Sequence, residues 1–468
     1  MKTSKLFSKA FLVAIAFIAF GCEDDKKSTP IVPVVTKPTT TTEVDGGTPI
    51  AANTKWTADK RYLLKGFVRV KAGATLTIEP GTVILGDKQT KGALIIERGA
   101  KLIAEGTVSK PIVFTSAQPK GSRSYSDWAG VIILGNAPTN KPTTTTIEGV
   151  DNAFYGGTDA ADNSGILKYV RIEFAGIAIS PNNEVNGLTL GGVGSGTTIQ
   201  YVQVSYSGDD SFEWFGGSVN AKYLIAHRGF DDDFDTDFGF SGNVQFGLVV
   251  RDPNVADQSN SNAFESDNDG GGTVDAMPRT SATFSNITVI GALDRGVTDV
   301  NKQYGRAAHL RRATRQAIFN SVLTGFPMGV HIDGLATQAD AVATPSLVTI
   351  ENTTLAAMGK NLGNFSLPAG STGAPTITDA SQPIQSWWNE AAKANKTETT
   401  LSAIGISSIN MANPMAALMP AAGSPLLNGG AFTHTRLASF EKVTYRGAFG
   451  TTNWTTGWTN FDPQNTDY

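Results

Sequence analysis

The sequence has little cysteine, histidine or charge. One Cys and four His occur among 468 residues, and only 17% of the residues are charged. A single Cys excludes a disulfide scaffold and also excludes zinc or iron–sulfur sites built from several thiolates. Low charge together with 50 Gly residues argues against a long coiled coil or a helical bundle. The net charge is −4 and Lys and Arg form no long run, so we expect no nucleic-acid partner.

What the chain does contain favours a folded, all-β protein. Hydrophobic residues make up 40% of the sequence and include 24 Phe and 7 Trp, which is enough to build a large core. Gly, Thr and Asn are abundant, as in proteins made of short strands and tight turns.

The N-terminus has the pattern of a secretory signal. Three lysines among the first nine residues precede the apolar run 10–20, which is too short to span a bilayer. The run ends in Ala19-Phe20-Gly21-Cys22, which resembles the lipobox of bacterial lipoproteins. The resemblance implies a signal peptide over residues 1–21 and lipidation of Cys22, which would hold the chain on a membrane.

The residues after Cys22 predict where the anchor lies. Glu23-Asp24-Asp25 resembles the export signal of surface lipoproteins of Bacteroidota, which implies the outer face of the outer membrane. A solvated charge run is the alternative. Residues 22–55 are rich in Thr, Pro and Val and show no periodicity, so we predict a lipidated Cys followed by a flexible tether. The folded body is then expected to begin at Trp56.

An internal repeat predicts the fold. A Gly-Ala-x-Leu unit occurs at Gly73 and again at Gly99, and a Gly-Thr-Val turn occurs at Gly81 and again at Gly106. Short β-runs repeated about every 25 residues are typical of solenoids, in which each unit is stable only when stacked. These residues resemble the start of right-handed parallel β-helices, so we predict a single-stranded right-handed parallel β-helix over residues 56–358.

Equal spacings further along predict which residues lie on neighbouring turns of the helix. Phe212-Glu213 recurs as Phe234-Asp235 after 22 residues and as Phe264-Glu265 after 30 residues. The longer spacing implies a bulging loop of about eight residues within 252–262. The segment Ala308-His309-Leu310 recurs as Val330-His331-Ile332, which predicts that the two His stack. A third set is spaced by 21 residues and predicts one more alignment: Val202, Tyr223 and Val244.

The repeat fades after about residue 359. We predict that residues 359–468 form an irregular, aromatic cap that covers the open end of the β-helix, because unpaired strand edges promote aggregation. Within the cap, residues 382–395 are the helix candidate, with Ser381 as the N-cap.

Acidic residues on three neighbouring turns form the best candidate site. Alternation with period two would place carboxylates on one face of each strand. The predicted ladder comprises Glu213, Asp233, Asp235, Asp237, Glu265, Asp267 and Asp269. Carboxylates about 5 Å apart must be relieved by protonation, by Arg or Lys, or by a hard cation, for which Ca²⁺ fits best. The alternatives are a solvated acidic face and direct catalytic use.

Basic residues and the two His lie near the ladder in sequence. The basic group comprises Arg306, Arg311, Arg312 and Arg315. These residues could line a groove for an anionic or hydroxyl-rich ligand, or Arg311 could simply pair with Asp333 one turn away. His309 and His331 alone are a weak indication of a metal.

Taken together, the lipobox, the repeat, the ladder and the aromatic tail make the chain similar to surface β-helix lipoproteins of Bacteroidota. The resemblance implies a non-enzymatic accessory or binding role in nutrient capture, with a glycan or other ligand and a TonB-dependent transporter as partners. A Ca²⁺-dependent polysaccharide lyase or a glycoside hydrolase is the enzyme alternative, with Arg251 or Lys222 as the base of the lyase. An adhesin or surface-layer protein is the third possibility.

Overall fold

Parallel pairing between successive turns of the chain organises the whole folded region. The structure is a computed structural model that describes residue 38 and residues 40–180, 183–271, 273–293, 300–363, 384–407 and 418–468. These residues belong to one compact unit, Pro38–Tyr468. The predicted signal peptide and Cys22 lie outside the described residues.

Strands dominate the described residues, and most are short. The strands of the first half are β1 (Thr40–Asp45), β2 (Thr54–Trp56), β3 (Lys60–Lys65), β4 (Phe67–Val70), β5 (Thr75–Ile78), β6 (Val83–Gly86), β7 (Ala93–Ile96), β8 (Lys101–Glu105), β9 (Ile112–Ser116), β10 (Gly130–Leu134), β11 (Gly165–Glu173), β12 (Ala178–Ser180), β13 (Asn183–Glu184), β14 (Leu188–Val193), β15 (Thr198–Ser205) and β16 (Phe212–Gly217). The remaining strands are β17 (Asn220–His227), β18 (Phe234–Asp237), β19 (Asn243–Val250), β20 (Phe264–Ser266), β21 (Thr283–Ile290), β22 (Arg306–Leu310), β23 (Ala317–Phe319), β24 (Val322–Thr324), β25 (Met328–Ile332), β26 (Thr349–Glu351), β27 (Thr354–Ala356), β28 (Lys360–Leu362) and β29 (Lys396–Glu398).

Helices are few and short in the described part of the chain. The α-helices are α1 (Leu335–Val342) and α2 (Gln385–Trp388). Single 3₁₀ turns occur at Ala391–Lys393, Ser402–Ile404, Pro425–Leu427, Thr435–Leu437 and Pro463–Asn465. No helix among the described residues combines the length and the apolar character needed to cross a lipid bilayer.

The strands form three faces of a right-handed parallel β-helix, which confirms the predicted fold class. Ten described strands make one sheet, from β4 to β28, and seventeen make a second sheet that bends into two faces. Strand β11 contains this bend, because its first half pairs with β8 and its second half pairs with β9. Tyr169 lies at the bend with φ +50°. Each long turn therefore contributes strands to all three faces.

Left-handed residues mark the same bend on successive turns. They are Tyr169, Tyr201, Tyr223, Phe246, Asn286, Asn320 and Asn352. Asn tolerates this conformation best, whereas each aromatic residue costs about 1 kcal/mol there. The aromatic rings offset this cost by stacking, with centroids 4.4 Å apart for Tyr169 and Tyr201 and 4.3 Å apart for Tyr201 and Tyr223.

The C-terminal tail covers that aromatic stack. Trp458 contacts the rings of Tyr169 and Tyr201, each at 5.9 Å between centroids, and Trp454 contacts Tyr223 at 5.3 Å. The predicted aromatic cap therefore packs along the side of the β-helix as well as near its last turns.

The register confirms two of the predicted alignments and corrects a third. Phe212, Phe234 and Phe264 are Cα partners on successive strands. The long spacing arises from the connection 251–263 between β19 and β20, where the bulging loop was predicted. The alignment of Val202 with Tyr223 is wrong, because Val202 pairs with Leu224. The aromatic residue instead occupies the corner next to the strand position, which the spacing of 21 residues could not reveal.

Both predicted domain boundaries differ from the structure. Strand β1 begins at Thr40 and pairs in parallel with β3, so the folded region begins before Trp56. The Thr-rich sequence that was assigned to the tether has high β-propensity and is paired there. At the other end, β28 and β29 continue the parallel pairing beyond residue 358.

The predicted helix over 382–395 is much shorter in the structure, and a second helix was missed. Helix α2 spans four residues, and Trp387 and Trp388 are buried against the core. Ser381 lies outside the described residues. Helix α1 follows β25 directly and buries Thr337, Gln338 and Ala341. Its weak apolar pattern explains why the sequence did not indicate it.

Replacing Phe234 by Ala should destabilise the β-helix strongly. Phe234 is fully buried among Phe212, Phe264 and Phe284, so the truncation leaves a cavity in the core. We expect a loss of about 3–5 kcal/mol in chemical denaturation. Phe154→Ala is the matched control, because Phe154 is 39% exposed, and its effect should be small. Equal effects of the two substitutions would contradict the placement of Phe234.

Candidate functional site

The candidate site lies on the outer face of the ten-stranded sheet. Along β16, β18 and β20, the Phe side chains point into the core and the acidic side chains alternate with them toward the outside. Glu213, Asp235 and Glu265 are Cα partners on these three strands, as predicted. Strands of a sheet lie about 4.8 Å apart, so the three carboxylates are close neighbours.

The same outward row continues into the two His. Glu265 pairs in register with His309 on β22, and His309 pairs with His331 on β25. The two imidazole rings are stacked with centroids 5.2 Å apart and planes 4° apart, so the predicted stacking is confirmed.

The predicted ladder does not form a single group, and Asp233 is the first exception. Asp233 precedes the first residue of β18, so the period-two alternation does not extend to it. Its carboxylate is completely buried 3.2 Å from the equally buried guanidinium of Arg251. Burial raises the pKa of Asp233 to about 7, although Arg251 opposes the shift.

Arginine neutralises one part of the ladder. Arg311 donates to Glu265 and, through Nε at 2.9 Å, to Asp267, and Arg312 donates to Asp267 as well. Burial alone would raise the pKa of Glu265, but His309 and Arg311 hold this pKa below its ordinary value. The predicted pair between Arg311 and Asp333 is wrong, because the guanidinium reaches back toward the acidic turns.

Lysine neutralises the end of the ladder. The Nζ atom of Lys141, from the long connection 135–164, lies 2.6 Å from Asp269. Burial raises the pKa of Asp269, but Lys141 and the backbone N–H of Thr273 together lower it below its ordinary value. Asp237 has the backbone N–H of Phe238 as a donor, yet burial raises its pKa to about 8.

The other part of the ladder has no such partner. Asp210, Glu213 and Asp235 each place a carboxylate oxygen within 4.8 Å of the others. None of the ion pairs among the described residues includes them. Burial raises the pKa of all three well above its ordinary value, and the neighbouring carboxylates raise it further. The negative charge of this group, here named the acidic triad, therefore lacks compensation.

Two residues of this region were missed, although the repeat contained them. Asp210 and Asp232 are 22 residues apart, and Asn262 follows after 30, which are the spacings of the neighbouring Phe residues. The Oδ1 atom of Asp210 accepts from the N–H of Asp232 at 2.8 Å, and Oδ1 of Asp232 accepts from the N–H of Asn262. Asp232, Asp235 and Glu265 form a further close carboxylate group next to the acidic triad.

A cavity of about 650 Å³ opens beside the acidic triad and is lined by acids. Its charged lining residues are Glu148, Glu184, Asp209, Asp231 and Asp257. Burial, followed by the charge of Glu184, raises the pKa of Glu148 to about 7, and burial raises the pKa of Asp231 to about 6. We name it the acidic cavity. It adjoins the triad because Asp209 precedes Asp210.

The remaining basic residues of the predicted groove lie apart from one another. Arg306 donates from Nε to Nδ1 of His331 at 3.1 Å, whereas Arg315 pairs with Asp340 of helix α1 at 2.8 Å. Only Arg311 and Arg312 contact the predicted ladder directly.

Neither residue considered as a catalytic base has a suitable position. Arg251 is buried with Asp233, and the pKa of its guanidinium is raised, so it keeps its proton. Lys222 lies on β17 in the other sheet and pairs with Glu441 at 3.4 Å.

This architecture, three faces of stacked parallel strands with an outward polar row, defines a parallel β-helix protein. The chain matches the family of pectate-lyase-like beta helix domains over residues 47–406, and it belongs to that family. No curated protein and no solved structure matches the chain significantly.

Replacing Arg311 by Met should destabilise the protein, because Glu265 and Asp267 lose their shared counter-charge. We expect a loss of about 2–3 kcal/mol in chemical denaturation, less than for a fully buried pair because the side chain of Arg311 is 25% exposed. Arg315→Met is the matched control, with an expected loss below about 1 kcal/mol. A larger loss in the control would contradict this division of the ladder.

Proposed function

We propose that the chain is a cation-dependent ligand-binding protein, with Ca²⁺ held by the acidic triad. The observation that carries this proposal is the convergence of three buried carboxylates without a basic partner among the described residues. A hard divalent cation with oxygen ligands relieves such repulsion most directly.

The neighbouring amide of Asn186 supports a cation at this position. Its Nδ2 donates to Glu213, while its buried Oδ1 has no hydrogen-bond partner among the described residues. Amide oxygens are common Ca²⁺ ligands, and a small rotation of this side chain would bring Oδ1 toward the triad. Four oxygen donors would then be available from the protein, with further positions left to water or to a ligand.

The acidic cavity is where we place the ligand. An acidic lining repels free anions, so an anionic ligand would need the cation as a bridge, whereas a hydroxyl-rich glycan could also bind through hydrogen bonds. In this proposal the protein is a lipoprotein anchored through Cys22 at the outer-membrane surface. There it would capture a glycan or another nutrient as a non-enzymatic accessory protein of a TonB-dependent transporter.

A polysaccharide lyase is the second candidate, favoured by the likeness of the family to pectate lyases. In that case the cation would neutralise the carboxylate of a uronate residue and make the neighbouring proton more acidic. The test is absorbance from unsaturated products when the protein is mixed with uronate-containing glycans and Ca²⁺. Rising absorbance would replace the non-enzymatic proposal, and none is expected.

Ca²⁺ should raise the thermal unfolding midpoint relative to EDTA. At a concentration 100-fold above Kd, binding to the folded state contributes about 2.7 kcal/mol. The double variant Glu213→Gln/Asp235→Asn should lose this response. In EDTA it should be at least as stable as the native chain, because the neutral side chains remove the repulsion. Differential scanning calorimetry measures both effects.

The control for this experiment is Asp275→Asn, because the side chain of Asp275 is 86% exposed and far from neutral only in solvent. This variant should keep the full response to Ca²⁺. An unfolding midpoint of the native chain that is the same in Ca²⁺ and EDTA would refute the cation site.

Membrane attachment is tested separately by Cys22→Ala. We expect the native protein to fractionate with the outer membrane and the variant to be released from it, because the acyl chains would be missing. Affinity isolation of the membrane-bound form should recover a transporter or a glycan. A variant that stays in the membrane fraction would contradict the anchor, and isolation without either partner would contradict the accessory role.

A further inference from the structure

We propose a second metal site, for a transition metal of the Zn²⁺ type, formed by His309, His331 and Asp333. Each residue offers one ligand atom, and these atoms lie within 4.8 Å of one another. This site uses none of the residues of the acidic triad, and it does not depend on the proposed function.

The distance between the first two ligands fits a tetrahedral metal. Nε2 of His309 lies 3.2 Å from Oδ2 of Asp333. Bonds of about 2.0–2.1 Å to a tetrahedral Zn²⁺ place two ligand atoms about 3.3 Å apart. A metal can therefore replace the hydrogen bond between these two side chains with little movement of either.

The strand register supplies the third ligand. His331 lies on the turn after His309, and the two rings are parallel. Burial, followed by the charge of His309, lowers the pKa of His331 to about 4, so this imidazole is neutral at pH 7, the form that binds metals. Asp333 follows the end of β25, and its side chain is 36% exposed, which leaves the site open to solvent.

A carboxylate beyond the ligands strengthens the argument. Oε1 of Glu265 lies 3.5 Å from Nδ1 of His309, on the side of the ring away from Asp333. A His that binds a metal through one nitrogen commonly donates its other N–H to such a carboxylate, which fixes the ring and increases its basicity. Nδ1 of His309 is buried and lacks a closer hydrogen-bond partner among the described residues.

Arg306 controls access to His331. Its Nε donates to Nδ1 of His331 at 3.1 Å, and an Arg does not give up its proton. The proton of the neutral ring must then be on Nε2, so neither nitrogen offers a free lone pair while this bond exists. Metal binding has to open the bond, and Arg306 therefore competes with the metal.

Three protein ligands leave a fourth position on a tetrahedral metal. In zinc proteins this arrangement is typical of sites that bind water or a ligand, whereas structural sites use four protein ligands. We therefore assign to this site the binding of a small ligand through an oxygen or nitrogen atom.

The test is titration of the purified full chain with Co²⁺, monitored by visible absorption and by competition with Zn²⁺. We expect one equivalent to bind with the spectrum of tetrahedral coordination and to be displaced by Zn²⁺. His331→Gln and Asp333→Asn should each weaken binding more than about 100-fold, since loss of an outer partner alone costs about 10–100-fold. Arg306→Gln should strengthen binding by removing the competitor.

Two controls make the result specific to this site. His434→Asn changes a His whose Nδ1 accepts from the N–H of Arg436 in the cap, and it should leave Co²⁺ binding unchanged. Asp235→Asn should also leave it unchanged while it weakens Ca²⁺ binding. Absence of Co²⁺ binding to the native chain would overturn the proposal. Equal affinity of the native chain, His331→Gln and Asp333→Asn would overturn it as well.

Discussion

The in-register parallel pairing of successive turns is the constraint on which the rest of the molecule depends. Each side chain lies about 4.8 Å from its counterparts on the turns before and after it. Whatever one turn places at a position, the next turn must tolerate. Phe212, Phe234 and Phe264 meet this condition by packing with one another in the core. The corner Tyr residues meet it by stacking, which offsets the strain of their left-handed backbone.

The same constraint acts against acidic side chains on the outer face. A row of carboxylates at this spacing is unstable unless a counter-charge or a proton reduces the repulsion. Arg311 provides the counter-charge for Glu265 and Asp267. The buried acidic triad has no equivalent, so its ordinary state without a cation includes bound protons. A cation would exchange with those protons, which makes metal affinity in this part of the ladder greater at higher pH.

Much of the fold and part of the site could be predicted, because the repeat spacing records the register. The spacings of 22 and 30 residues were enough to align Glu213, Asp235 and Glu265 and to stack the two His. They could not predict directions that depend on backbone outside the strands. Asp233 turns into a buried pair with Arg251 because the chain is not yet extended there. Arg311 contacts two acids of the previous turn, since its long side chain can reach in either direction along the row.

The connections between strands, more than the strands, give this β-helix its chemistry. Stacked turns alone would produce a uniform row, and Lys141 shows how that row is broken, since it reaches Asp269 from a connection 128 residues earlier in the chain. Asp257, from another connection, helps to line the acidic cavity. The β-helix thus fixes the distance between neighbouring acids, whereas the connections decide which of them are neutralised. Family membership follows from the first property, and function has to be argued from the second.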